Sequence, residues 1–145
     1  SGAYGQGYGA SSAVGAALAH REHGRLPICI TGDGDTMYVS GVHWTAAHHR
    51  IPLLSIVHNN RSYHQEVMHV QKMAGWRQRG ADKGVEPGNS IDDPAIDFAG
   101  LAKSLGVWSA GPISSPHELR PAFARAIDVV EQGEPALVDV ISQPR

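Results

Sequence analysis

The sequence predicts an α/β fold built on a mostly parallel sheet, and three observations carry that expectation. Two short apolar runs, "PICIT" at 27–31 and "IPLLSIV" at 51–57, are bounded by Pro, Gly and Asn, as buried strands are. A segment of helical character separates them. Each run ends in polar residues of a particular kind, Gly32, Asp33 and Gly34 after the first and Asn59 and Asn60 after the second. Strand, glycine turn, helix, strand is a βαβ unit. It brings both polar ends to the carboxyl edge of the sheet, where open α/β sheets bind ligands.

Taken in order, residues 27–31 form the first strand, and Gly32 and Gly34 let the backbone turn sharply and approach a ligand closely. The spacing of Met37, Val39, Val42, Trp44, Ala46 and Ala47 predicts one helix over 36–50, whose first amides and positive dipole end face the glycine turn. A second strand follows over 52–57. After Asn60 the chain turns polar and glycine-rich. His64, Val67, Met68 and Val70 fit a short helix, and 75–94 reads as a long loop, of the length that serves as a lid or mobile segment in compact domains. Ile96, Phe98, Ala99, Leu101, Ala102 and Leu105 keep helical spacing over 95–105, and Gly106 is a natural C-terminal stop. A short strand at 107–109 precedes a helix that Pro116 opens and Gly133 closes, with Leu119, Phe123, Ile127 and Val130 on one face. Residues 136–141 give the last strand. No internal repeat or low-complexity tract interrupts this order.

Composition bounds the rest. The chain has 145 residues, enough for one domain with a core, and 12 Lys and Arg against 14 Asp and Glu give a formal charge of −2. That balance offers no basis for binding nucleic acid or an anionic membrane. Cys29 is the single cysteine and falls inside the first strand, so it reads as a buried free thiol. No apolar run approaches the roughly 18 residues of a membrane helix and no signal-peptide pattern opens the chain, so the expected location is cytoplasmic.

The chemistry lies in the two strand ends. Asp33 and Asn60 together offer two oxygen ligands and one negative charge, which suits Mg²⁺, an ion that takes few protein ligands and fills its octahedron with waters and phosphates. The pattern therefore looks like a bridge between protein and a diphosphate. Plainer readings stand beside it: Asp33 as a helix N-cap, and Asn59 and Asn60 as turn residues. His48 and His49 are adjacent, point in different directions on a helix and lack a third ligand, so they read as exposed or locally paired. His58 reads as structural, and Glu66 as a helix-surface charge or a proton relay. His64 is suited to proton transfer near neutral pH. Trp44 and Trp76 read as packing residues.

With these residues in view, "GDGDTMYVSGVHWTAAHHRIPLLSIVHNN" resembles the thiamine-diphosphate enzymes of the acetolactate synthase, pyruvate oxidase and benzoylformate decarboxylase type. "GQGYGASSAVGAALA" is similar to the glycine-rich segment that precedes GDG in their diphosphate-binding domain, and "DFAGLAKSLGV" and "GEPALVDVISQP" to its closing helix and strand. The resemblance implies a three-layer sandwich with a doubly wound sheet, the thiamine-diphosphate-binding fold. It implies thiamine diphosphate and Mg²⁺ as cofactors, with Asp33 and Asn60 as side-chain ligands of the ion and the Ser62 carbonyl as a third. It also implies that Gly32, Gly34 and Asp35 line the diphosphate, Gly34 and Asp35 through backbone amides, with Tyr63 and His64 close by. Tyr4 and Gln6 match the strand whose backbone bonds the aminopyrimidine. Gln6 departs from the family, which places a bulky apolar wedge there to bend the cofactor; an amide of similar length can fill that place or bond a ligand. Asp35 departs too, since a small hydroxyl residue is common at its position. Its carboxylate has to turn away from a diphosphate, leaving Thr36 to supply a hydroxyl contact.

The family likeness extends to organisation. The chain opens directly on "SGAYGQGYG", which implies that 1–145 is the C-terminal diphosphate-binding domain of a longer enzyme, without its first strand and upstream domains. In such enzymes the glutamate that protonates the pyrimidine comes from the pyrimidine-binding domain of a neighbouring subunit, so a homodimer or homotetramer is expected and the chain alone is expected to be inactive. The implied reaction is C–C bond cleavage or formation next to a carbonyl, acting on a 2-oxo acid or related substrate with the cofactor carrying the chemistry. Gln65, Glu66 and Met68, in the segment covering the site, are candidate substrate contacts. The alternative is a non-catalytic Rossmann-like nucleotide or diphosphate module with "GQGYGA" as its phosphate loop. It lacks a visible strand before that loop and an acidic ribose partner after it.

Overall fold

The computed structural model describes residues 6–80 and 87–142. In chain order it places α1 at Tyr8–His20, a 3₁₀ turn at Arg21–His23, β1 at Ile28–Gly32, α2 at Asp33–Tyr38, α3 at Val42–His48 and β2 at Leu54–Asn59. Then come α4 at His64–Trp76, α5 at Phe98–Ser104, β3 at Trp108–Ile113, α6 at Pro116–Glu131 and β4 at Ala136–Ile141. The four strands form one sheet in the order β1-β2-β4-β3, and every pairing is parallel. Parallel strands need crossovers, and helices supply them on both faces, so the sheet is the middle of three layers.

The register fixes which side chains face which helices. Cys29, Ser55 and Leu137 stand side by side, as do Leu54 and Ala136 on the opposite face. On the first face Cys29 packs with Val14 and Ala17 of α1 and Ala46 of α3, while Val57 and Leu137 pack with Phe98 and Ala102 of α5. On the second face Leu54, Ala136 and Val138 pack against Ala126, Val129 and Val130 of α6. Two-sided cover is why β2 and β4 read as continuous apolar runs rather than alternating ones. Edge strand β1 is covered on one face only, so Ile28 and Ile30 remain 53% and 73% exposed on the other.

Several elements depart from the sequence expectation. The single helix expected over 36–50 is two helices, because Val39 leaves helical geometry and Val42 N–H closes a tight turn onto Val39 O at 2.9 Å. The break resets which face is buried. His43 and Ala46 go inside, while Trp44, expected to pack, is half exposed and stacks on His48 at 4.7 Å between ring centroids. Trp76 is also a surface residue, with Lys72 Nζ 4.8 Å above its ring. The helix after Asn60 runs to Trp76 and buries none of its side chains, so it takes the first part of the expected loop. The second strand starts at Leu54 rather than Pro52, since proline has no N–H for the ladder, and it continues through Asn59. The third strand extends to Ile113 across an irregularity after Ala110.

His43 gives this core a pH dependence. It is buried in α3, its Nε2 has no hydrogen-bond partner among the described residues, and burial holds its pKa below the ordinary histidine value. The unfolded chain therefore takes up the proton first as pH falls, so stability is unaffected above about pH 6.5 and declines below it. Urea unfolding between about pH 5 and 8 should show that decline, at no more than about 1.4 kcal/mol per pH unit for this one group. His43→Leu should flatten it; an unchanged slope would show that other groups control acid stability.

Candidate functional site

β1 and β2 are neighbours, and their ladder ends with Gly32 beside His58. The next residue of the first strand is Asp33, the first helical residue of α2 and only 3% exposed. The N-cap is Gly32, in extended conformation, so the reading of Asp33 as a capping side chain fails. Asp33 instead accepts two backbone N–H groups, Gly34 N at 2.8 Å on Oδ1 and Arg61 N at 2.5 Å on Oδ2. The second bond crosses from one strand end to the other. Arg61 reaches it with φ at 58°, in the left-handed region that side-chain-bearing residues enter at a cost of about 1–2 kcal/mol. Asn60 Oδ1 accepts Ser62 N at 3.0 Å, which folds 60–62 into an Asx turn. Tyr63 N donates to Asn89 O at 2.8 Å and Ile91 N to Arg61 O at 2.9 Å, so the turn is also tied to residues 89–91. Asp33, Asn60 and Ser62 are thus carried by one hydrogen-bonded unit at the carboxyl edge.

The glycine turn is covered by an aromatic ring. A Cβ at Gly34 would lie 2.7 Å from Tyr63 Cδ1 and closer still to Cε1, so the Tyr63 ring rests on the Gly34 backbone. Tyr38 stands 6.2 Å from Tyr63 between ring centroids; burial, and then the bond to Tyr38, raises the Tyr63 hydroxyl pKa. The Gly34 amide, expected to face a diphosphate, is engaged by Asp33. The Asp35 carboxylate accepts Gly7 N at 2.6 Å and the Thr31 hydroxyl at 3.3 Å, tying the turn to the start of α1. Thr36 departs from expectation, because its buried hydroxyl donates to Gly32 O at 2.8 Å and serves the turn rather than a ligand. Gln6 is exposed just before Gly7, which has φ of 78° and no room for a Cβ, since one would meet Val39 Cγ1 at 2.7 Å. Tyr4 lies outside the described residues. His64 opens α4 half-buried, while Gln65, Glu66 and Met68 are exposed on that helix. His48, His49 and His58 are exposed, and His58 Nδ1 lies 3.4 Å from Ser142 Oγ.

The sequence does not single out Asp139, and Asn59, read as a strand-end or turn residue, is its partner. Asn59 Nδ2 donates to Asp139 Oδ1 at 3.0 Å, and both residues are buried. Asp139 carries a raised pKa, chiefly through burial, with the Asn59 bond acting in the opposite sense. The available signal was a carboxylate inside the apolar run "ALVDVI", which a half-apolar strand pattern alone does not explain.

Residues 1–140 match the family described as "Thiamine pyrophosphate enzyme, C-terminal TPP binding domain". The chain belongs to this family. The thiamine-pyrophosphate-binding domain is 31% identical over 139 residues to benzoylformate decarboxylase of Pseudomonas aeruginosa, covering 96% of this chain and 23% of that one. It is 33% identical over 138 residues to the probable acetolactate synthase large subunit of Methanococcus aeolicus, covering 95% and 20%. Among solved structures, the thiamine diphosphate-dependent 4-hydroxybenzoylformate decarboxylase of Rhodococcus jostii RHA1 superposes with a TM-score of 0.73 at 28% identity, covering 96% of this chain and 23% of that one. The chain therefore spans about a quarter or less of the length of these relatives. The doubly wound α/β fold expected from the sequence is the fold of this family.

The oxygen donors at the edge are of the kind a hard divalent cation takes. One carboxylate, one carboxamide and a peptide carbonyl are all hard oxygens. Among the described residues no group of three or more His, Cys, Asp or Glu could hold a metal by side chains alone. Among them, too, no helix is long and apolar enough to cross a membrane.

The contact of Tyr63 with Gly34 is testable without ligand. Gly34→Ala should lower unfolding free energy by about 1–3 kcal/mol, the usual cost of overpacking. Combined with Tyr63→Ala, which removes the ring, the same glycine change should cost little. Additive losses in urea denaturation would show that the ring does not rest there.

Proposed function

We propose that this domain binds thiamine diphosphate through Mg²⁺ in an enzyme that cleaves or forms C–C bonds next to a carbonyl, by 2-oxo acid decarboxylation, carboligation, or both. The observation that carries the reading is the Asp33 carboxylate held between two strand ends by the Gly34 and Arg61 amides. The Arg61 amide keeps the carboxylate at the strand ends even where Gly34 N–H turns to a diphosphate, and its remaining lone pairs are left for a cation. The Asn60 amide oxygen and the Ser62 carbonyl are offered by the adjoining turn, and waters and phosphate oxygens would complete an octahedron. The relatives named acetolactate synthase and benzoylformate decarboxylase support the reaction class.

When bound, thiamine diphosphate supplies an electron sink for chemistry next to a carbonyl. The chain's own residues do the rest. Asp33, Asn60 and Ser62 hold the ion, and the Gly34 and Asp35 amides bind the diphosphate, Gly34 after release from Asp33. Gln6 fills the place of the wedge that sets the cofactor's shape. His64, at the start of α4, holds or passes a proton at its ring nitrogens near neutral pH. Gln65, Glu66 and Met68 face the substrate from the same helix. We assign the pyrimidine end of the cofactor to the pyrimidine-binding domain of a neighbouring subunit, within a homodimer or homotetramer, on the strength of the family resemblance.

Calorimetric titration of thiamine diphosphate, with and without Mg²⁺, tests the reading. Binding should require the ion, and Asp33→Ala and Asn60→Ala should each weaken it by about tenfold or more, as expected when a charged or charge-assisted contact is lost. Binding that ignores Mg²⁺ or survives both substitutions would refute the assignment.

A further inference from the structure

Asp139 is fully buried on β4, and no part of the binding scheme above uses it. Its Oδ1 accepts Asn59 Nδ2, while its Oδ2 is buried without a hydrogen-bond partner among the described residues. The Gly111 backbone packs directly against it, since a Cβ at Gly111 would meet Asp139 O at 2.6 Å and Asp139 Cβ at 2.8 Å. Asp97 and Asp33 are charges of like sign nearby, and Arg61 is of opposite sign. Burying a carboxyl with one neutral hydrogen bond and one orphaned oxygen is unfavourable, and apolar side chains of similar volume at both Asp139 and Asn59 would serve the fold at least as well. Stability therefore does not explain a carboxyl at this position.

Its one bond points to what does. Asn59 is the last residue of β2; its side chain is buried and its carbonyl accepts Ser142 N at 2.8 Å. Immediately beyond it the chain enters the left-handed turn through which Arg61 N reaches Asp33. The direction in which β2 leaves the sheet decides whether that amide and the Asn60 side chain arrive at the Asp33 carboxylate. We propose that Asp139 is a positioning residue: by holding the Asn59 side chain it fixes the end of β2 so that Arg61 and Asn60 meet Asp33. For the ligand served, the inference rests on the proposed function; for the geometry it does not.

Amide hydrogen exchange at Arg61, urea unfolding and Mg²⁺-dependent thiamine diphosphate binding, measured together on Asp139→Asn, Asp139→Leu and Asn59→Ala, test it. Asp139→Asn keeps an acceptor for Asn59 and should preserve both Arg61 protection and binding. Asp139→Leu leaves the buried Asn59 amide unsatisfied, so it should lose Arg61 protection by about tenfold or more, beyond any loss of global stability. Asn59→Ala should open Arg61 in the same way from the other side of the bond. Unchanged Arg61 exchange in Asp139→Leu or Asn59→Ala, or a loss that only follows global stability, would overturn the inference. So would an Asp139→Asn variant as impaired as Asp139→Leu. If exchange follows the expected pattern while even the parent fails to bind thiamine diphosphate with Mg²⁺, the positioning role stands and the ligand assignment falls.

Discussion

The bond from Arg61 N to Asp33 Oδ2 joins the ends of two neighbouring parallel strands, and much of the domain is arranged so that it can form. It requires β1 and β2 to be adjacent and in register to the last rung, Gly32 beside His58. It requires Arg61 to hold a left-handed conformation, which the adjoining Asx turn and the bridge to residues 89–91 sustain. Backbone strain persists only where the surroundings over-determine it. Here those surroundings are the hydrogen bonds that present Asp33, Asn60 and Ser62 together.

The layers beneath keep that edge rigid. β2 and β4 are covered on both faces, by α5 on one side and α6 on the other, so the strand that carries Asn60 is a central one. β1, which carries Asp33, is an edge strand covered by α1 and α3 on a single face. The Asp33 carboxylate thus ties the less covered strand to the better covered one. Asp35, through Gly7, ties the same turn to the start of α1.

The fold was legible where sequence signals are local. Two apolar runs ended by glycines and asparagines gave the βαβ unit, and Pro116 marked the first residue of α6. What the sequence did not show follows from packing. Helical spacing made Trp44 a core residue, but the non-helical Val39 restarted the helix in a new phase and put His43 inside. α4 ran further than its apolar residues suggested because its extension buries nothing, so periodicity gave no sign of it. At the carboxyl edge, the meeting of the two strand ends that carry Asp33 and Asn60 was legible from strand context. The partners of Asp33 are backbone amides, which no sequence displays, and Asp139 comes from a strand distant in the chain that only the parallel pairing brings beside β2.

The role proposed for Asp33 and Asn60 is a hard-cation bridge to a diphosphate. A crystal of the protein grown with thiamine diphosphate and Mn²⁺ in place of Mg²⁺, with anomalous diffraction recorded for manganese, tests that directly. One strong anomalous peak is expected, bonded to an Asp33 carboxylate oxygen, the Asn60 amide oxygen and phosphate oxygens of the ligand. A diphosphate bound elsewhere, or manganese seated away from the two strand ends, would contradict it.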